Sequence, residues 1–199
     1  MKKGLLAVLL ALAIVAPVFA AEKGSMEIDG KLGVLFSPTM SMDARGESMS
    51  GDFKTAFSLG ADFFYYVEQQ IALGFGLEYV VPSEEDETGG TFKYGMTNLF
   101  VQAKYDIAIE NDIFNNIYPI VQLGYGINTL DGDMGEAKSV DVKNGLYWGI
   151  GVGTTIKENF IVELLYAVNY GEIEPKGAPF TIDTTYKAFR LKVGYKFAV

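Results

Sequence analysis

Residues 145–170, GLYWGIGVGTTIKENFIVELLYAVNY, leave this chain few folds to choose from. Leu146, Trp148, Ile150, Val152, Thr154 and Ile156 fall on one parity, and Tyr147, Gly149, Gly151, Gly153 and Thr155 on the other. After Lys157-Glu158-Asn159, Phe160, Val162, Leu164, Tyr166, Val168 and Tyr170 alternate with Ile161, Glu163, Leu165, Ala167 and Asn169. Two period-two runs joined by a tight turn predict an antiparallel hairpin. Both strands exceed the roughly five or six residues usual in globular proteins. They match the roughly 9–11 residues that a tilted strand needs to cross a bilayer.

The same alternation recurs along the chain. Strands are expected over residues 26–36, 54–66, 71–81 and 93–107, with a fifth carried by Val121, Leu123, Tyr125 and Ile127. The opening hairpin supplies the sixth and seventh. The eighth is carried by Phe189, Leu191, Val193, Tyr195 and Phe197. The connections alternate between short or medium turns and long loops at residues 37–53, 82–92, 129–143 and 171–184. An even number of such strands, with long loops gathered at one end, predicts an all-β, eight-stranded antiparallel up-and-down transmembrane barrel. No apolar run after the first twenty residues is long enough for a spanning helix, and only helices and closed barrels satisfy their backbone groups in lipid.

Lys2 and Lys3, the apolar run of residues 5–19 and Val18-Phe19-Ala20 read as a secretory signal peptide over residues 1–20. The barrel domain is then expected over residues 21–199. The formal net charge of −9 becomes more negative once Lys2 and Lys3 are removed, which excludes a nucleic-acid partner. The chain has no Cys, so no disulfide staples it.

Periodicity does not say which face of the barrel is outside. A soluble barrel would bury the apolar face around a ligand, whereas a membrane barrel turns it to lipid. The charges well inside strands share the non-apolar parity: Glu27, Asp29, Lys31, Asp62, Glu78, Lys104, Asp106, Glu163, Arg190, Lys192 and Lys196, with Gln102 among them. Glycines such as Gly33, Gly74, Gly124, Gly151 and Gly194 share that face, as a narrow eight-stranded interior requires. Acids and bases nearly cancel, as in an enclosed ion-pair network. Glu163 is expected to meet Lys192 or Lys196 on the neighbouring strand. Tyr65, Tyr79, Tyr105, Tyr118, Trp148, Tyr170, Tyr195 and Phe197 are expected as aromatics of the membrane interface.

The signal peptide, the amphipathic strands, the segments YPIVQLGYGI (118–127) and GIGVGTTIKENFIVELLYAVNY (149–170) and the final KVGYKF resemble the small outer-membrane β-barrel family. That family includes OmpX-type and opacity-type proteins and the membrane domain of OmpA. The resemblance implies the bacterial outer membrane, contact with its lipid and lipopolysaccharide, and insertion by the barrel assembly machinery. Family chains usually end on an aromatic residue, whereas here Ala198 and Val199 follow Phe197. OmpA also carries a peptidoglycan-binding domain beyond its barrel. No such segment follows the eighth strand, so tethering to the cell wall by that route is not expected.

The absence of His and Cys removes Ser-His and Cys-His nucleophile pairs and the usual zinc ligands. Some eight-stranded outer-membrane barrels are lipid-modifying enzymes, but those rely on a His, so that alternative is disfavoured here. No catalytic, metal or cofactor site is therefore expected. The acidic stretches Glu84-Glu85-Asp86-Glu87 and Asp131-Gly132-Asp133-Met134-Gly135-Glu136 lack EF-hand spacing and read as solvated loops. The expected function is a non-enzymatic, monomeric structural and surface-interaction protein. Its loops are open to an extracellular protein partner, and its lumen is shut by the polar network. The alternative is a narrow porin, or an OmpW-like conduit for small or hydrophobic solutes.

Overall fold

The structure, a computed structural model, describes residues 22–84, 93–109, 113–131, 140–157, 159–175 and 180–198. The proposed signal peptide and most of both acidic stretches lie outside the described residues. The elements in chain order are β1 (Met26–Ala44), β2 (Glu47–Asp52), β3 (Ala56–Glu68), β4 (Ile71–Glu84), β5 (Lys93–Tyr105), β6 (Ile107–Ala108), β7 (Phe114–Asp131), β8 (Val140–Lys143), β9 (Gly145–Ile156), β10 (Phe160–Pro175) and β11 (Ile182–Ala198). β1, β3, β4, β5, β7, β9, β10 and β11 follow one another around the wall, every seam antiparallel. β11 returns to β1 from Glu27↔Ala198 to Asp43↔Asp183 and closes the barrel.

Exposure settles which face is outside. Along β3 and β4, buried residues alternate with more exposed ones, and the large exposed apolar side chains are Phe57, Leu59, Tyr65, Ile71, Leu73, Phe75, Leu77, Tyr79 and Val81. Val101 on β5 is 63% exposed and Leu32 on β1 is 60% exposed. Glu78 and Glu163 are each 1% exposed, and Arg190 is 0% exposed. A wall that turns Phe, Leu and Val outward and carboxylates inward is stable only where the outside is hydrocarbon.

The lumen is narrow enough that several wall positions accept only hydrogen. A Cβ on Gly124 would stand 2.0 Å from the Leu99 carbonyl oxygen, and one on Gly74 would stand 2.1 Å from that of Phe63. Both obstacles are backbone and have little freedom to yield.

The long-loop end departs from the expected loops. Residues 37–53 are largely sheet, because β1 runs on to Ala44 and turns through Arg45 (φ 53°) and Gly46 (φ 85°) into β2. Ser37, at φ 44°, marks a bulge between Phe36 and Thr39. The extra residue changes the parity of β1, so Met40 points inward above Leu35. β4, β7, β10 and β11 likewise extend beyond the expected boundaries, and β8 pairs with β10 through Glu172↔Lys143 to Pro175↔Val140.

Candidate functional site

The barrel interior holds the charged residues as stacked groups. Nearest the short-turn end, the Lys104 ammonium pairs with Glu27 Oε1. The Tyr66 hydroxyl lies 2.7 Å from Asp106 Oδ2 and 3.1 Å from Glu27 Oε2. Lys196 stands at the rim, 4.0 Å from Glu27, and Asn116 donates to Asp106 at 2.6 Å.

Above this group, Lys31 gathers three carboxylates. Its Nζ donates to Asp62 Oδ2 at 2.6 Å and to Glu163 Oε1 at 2.7 Å, with Asp29 Oδ2 at 3.3 Å. Tyr118 donates its hydroxyl to the same Glu163 oxygen at 2.9 Å. Higher still, Glu78 accepts from Arg190, from Lys192 at 2.9 Å and from Ser58 at 3.0 Å. Gln122 donates to Gln102 and accepts from Tyr147, while Asn169 donates to Asn98 at 2.6 Å and accepts from Arg190 at 3.4 Å. Between Lys31, Asp62, Glu78 and Lys192 there is no room for a water molecule.

The network differs from the expected pairing at Glu163. Its neighbour in register on β11 is Lys192, yet its carboxylate goes to Lys31 on β1, and Lys192 goes to Glu78. Tyr118 is likewise corrected. It is 1% exposed and faces the lumen, not the membrane interface. The other expected interface aromatics, Tyr65, Tyr79, Tyr105, Trp148, Tyr170, Tyr195 and Phe197, lie on the outward parity of their strands.

Several lumen residues went unnoticed in the sequence. The Lys104 ammonium sits over Phe64 at 4.2 Å, Tyr118 at 5.1 Å and Tyr66 at 5.5 Å. Arg190 stacks over Tyr147 at 5.3 Å, and Lys192 over Phe100 at 5.9 Å. Ring faces thus add a quadrupole attraction for these cations to that of their carboxylate partners. At the long-loop end the polar network gives way to an apolar cluster of Leu35, Met40, Phe53, Val80, Tyr94, Met96, Ile173 and Tyr186. Rings of Phe53, Tyr94 and Tyr186 meet there at 5.3–6.4 Å. The signal for these residues was strand parity, which assigns Phe64, Phe100 and Tyr147 to the glycine face.

On the outside, Trp148 contacts Tyr166 and Tyr166 contacts Phe189, which stands opposite Phe36. A second aromatic group, Phe160, Tyr195 and Phe197, lies at the other end. Along β11, Phe189 and Phe197 are roughly 26 Å apart at the usual strand rise. At a tilt of roughly 40° that spans about 20 Å of membrane, close to the ~25 Å apolar band of such barrels.

A closed sheet with an apolar exterior, two aromatic girdles and a charged, crowded interior defines a transmembrane β-barrel. Residues 5–197 match the family described as outer membrane protein beta-barrel domain, and the chain belongs to that family. It resides in the bacterial outer membrane, where barrels of this kind carry short turns on the periplasmic side and longer loops outside. Among solved structures, OprG from Pseudomonas aeruginosa is similar with a TM-score of 0.53 and 15% identity, over 89% of this chain and 98% of that one. Neisserial surface protein A aligns with a TM-score of 0.47 and 14% identity, over 84% of this chain and 96% of that one. Ail, the attachment invasion locus protein of Yersinia pestis, aligns with a TM-score of 0.42 and 15% identity, over 88% and 99%. At these identities the likeness to OprG concerns the fold alone. A search of curated proteins finds no match.

Proposed function

We propose that this barrel is a non-enzymatic, monomeric protein of the outer membrane that presents its external strands and loops as contact sites while its lumen stays shut. The observation that carries this reading is the filled interior. Ion pairs occupy the barrel interior below, and the apolar cluster caps the outer end. An ion entering from outside would first have to part Phe53, Tyr94 and Tyr186. It would then have to break charge pairs that have no water to replace them. The side chains fill the lumen of an eight-stranded barrel, and a conducting path needs more strands or a moving plug. Lipid and lipopolysaccharide surround the apolar band in this reading, the barrel assembly machinery inserts it, and an extracellular protein meets the outer end.

The test is conductance of the refolded protein in a planar bilayer. The expected record is a flat baseline. Discrete, reproducible channel steps would overturn the closed lumen in favour of a narrow pore.

A further inference from the structure

We infer that the outer edge of β2 is a docking site for a basic, extended segment of a partner protein, which joins the sheet as an added strand. The inference rests on the surface-contact role proposed above and names its partner. Beyond the bulge, β1 is paired on both sides, with β2 from Thr39↔Asp52 to Ala44↔Glu47 and with β11 from Thr39↔Lys187 to Asp43↔Asp183. Among the described residues β2 pairs with β1 alone. Its far side offers the unpaired N–H and C=O groups that template strand addition. Edges are ordinarily guarded by Lys, Pro or a bulge. The segment Glu47-Ser48-Met49-Ser50-Gly51-Asp52 has none of these, and its only charges are the carboxylates Glu47 and Asp52 at its two ends. Met49 is 76% exposed, more than any other large hydrophobic of the described residues.

A pocket adjoins this edge. Met40, Met42, Met49, Ser50, Gly51 and Phe53 line a cavity of about 70 Å³. That is room for a short aliphatic side chain, and methionines reshape readily around one. In strand addition the backbone supplies affinity, and pockets that take alternate side chains supply specificity.

Charge selects the occupant. A second copy pairing antiparallel about Met49 and Ser50 would set Glu47 of each copy against Asp52 of the other. Like charges directly opposite are destabilising, and both ends of the ladder would carry them. A strand with Lys or Arg at the two positions facing Glu47 and Asp52 meets opposite charges instead.

The probe is the capped, fluorescent peptide Lys-Thr-Val-Leu-Thr-Lys, titrated at low salt onto the barrel refolded in lipid nanodiscs. Saturable binding is expected. It should weaken by at least about tenfold in the double variant Glu47→Lys, Asp52→Lys. That variant should take up Glu-Thr-Val-Leu-Thr-Glu instead. Proline in place of the peptide's central Val and Leu should abolish binding. Both substituted residues lie beyond the membrane band, and retention of the heat-modifiable band confirms that the variant folds. The proposal is overturned by absence of saturable binding, by equal binding of the basic peptide to the charge-reversed variant, or by equal binding of the proline peptide. Channel steps in the bilayer would end the closed-lumen reading without touching this edge. A silent barrel that ignores the peptide would end the edge proposal alone.

Discussion

At the scale of single residues, the lumen is a place where pairing is decided across the barrel and not along its wall. Lys31 on β1 reaches Glu163 on β10, a strand that is not its neighbour, because β11 stands between them. The parity of Glu163, Lys31 and Lys192 was readable from alternation, but the partner was not, since alternation says nothing about which inward side chains meet across the axis. Tyr118 is a different case. It shares the parity of Gln122 and Gly124, so its inward direction was legible, and its place near a strand end obscured it. Replacing Glu163 by Ala leaves Lys31 one carboxylate short and Tyr118 without its acceptor. Breaking a buried pair costs roughly 3–5 kcal/mol, so the folded band on unboiled gels should disappear at a distinctly lower temperature. A second test concerns glycine. Gly124→Ala would drive a Cβ into the Leu99 carbonyl, whereas a Cβ on Gly30 meets nothing within 4 Å. Overpacking of that kind costs about 1–3 kcal/mol. Urea titrations of the refolded proteins should therefore show Gly124→Ala destabilised and Gly30→Ala close to wild type.

At the scale of elements, strand boundaries inside the membrane follow the alternation closely, and those outside it do not. The bulge at Ser37 is the reason for β1. Once parity changes, Met40 and Met42 no longer continue the row of Leu32, Val34 and Phe36, and a polar sequence such as Ser-Met-Asp-Ala reads as loop. Its strand character comes from pairing with β11 and β2, a tertiary effect that local pattern does not carry. The apolar cap was hidden for the same reason, because Phe53 belongs to a stretch with no periodicity of its own. One joint at this level is sensitive to pH. The Lys54 amide donates to the Glu84 carbonyl at 3.0 Å, and Glu84 also pairs with Lys54 at 3.1 Å and Lys93 at 3.2 Å. The hydrogen bonds from Lys54 and Lys93 hold the Glu84 carboxyl below the usual carboxylate range. A depressed folded pKa stabilises above the ordinary carboxyl pKa, and that contribution is lost as pH falls through the folded value. Both partners are exposed, so the effect is small and screened by salt. Protection of the Lys54 amide from hydrogen exchange should exceed that of Glu84→Gln near neutral pH. The difference should vanish in acid.

At the scale of the whole molecule, one choice organises everything else: which face of the sheet meets lipid. Alternation left that choice open, and composition of the two faces decided it, since glycines and charges share one parity and bulky apolar groups the other. The choice also fixes register, because a slip of one residue on β11 would turn Arg190 and Lys192 into hydrocarbon. A substitution pair on β5 tests it directly. Val101 is outward and pairs with Leu123 on β7 and Phe75 on β4, between the two girdles. Arginine there has no lumen to enter and must sit in the apolar band, at a cost of roughly 2–4 kcal/mol near the midplane. Gln102, one residue on, is buried and bonded to Gln122. Its change to Glu places a charge within the polar side-chain network of the lumen, where the Gln122 amide already donates to this position. Folding equilibria in lipid vesicles should therefore rank Val101→Arg as the more damaging, and its penalty should shrink when the same barrel is refolded in thin-chain detergent micelles that let the guanidinium reach water. A soluble barrel with its apolar face inside would also be damaged by Val101→Arg, but its penalty would be the same in every medium, because the arginine would then be trapped in the core.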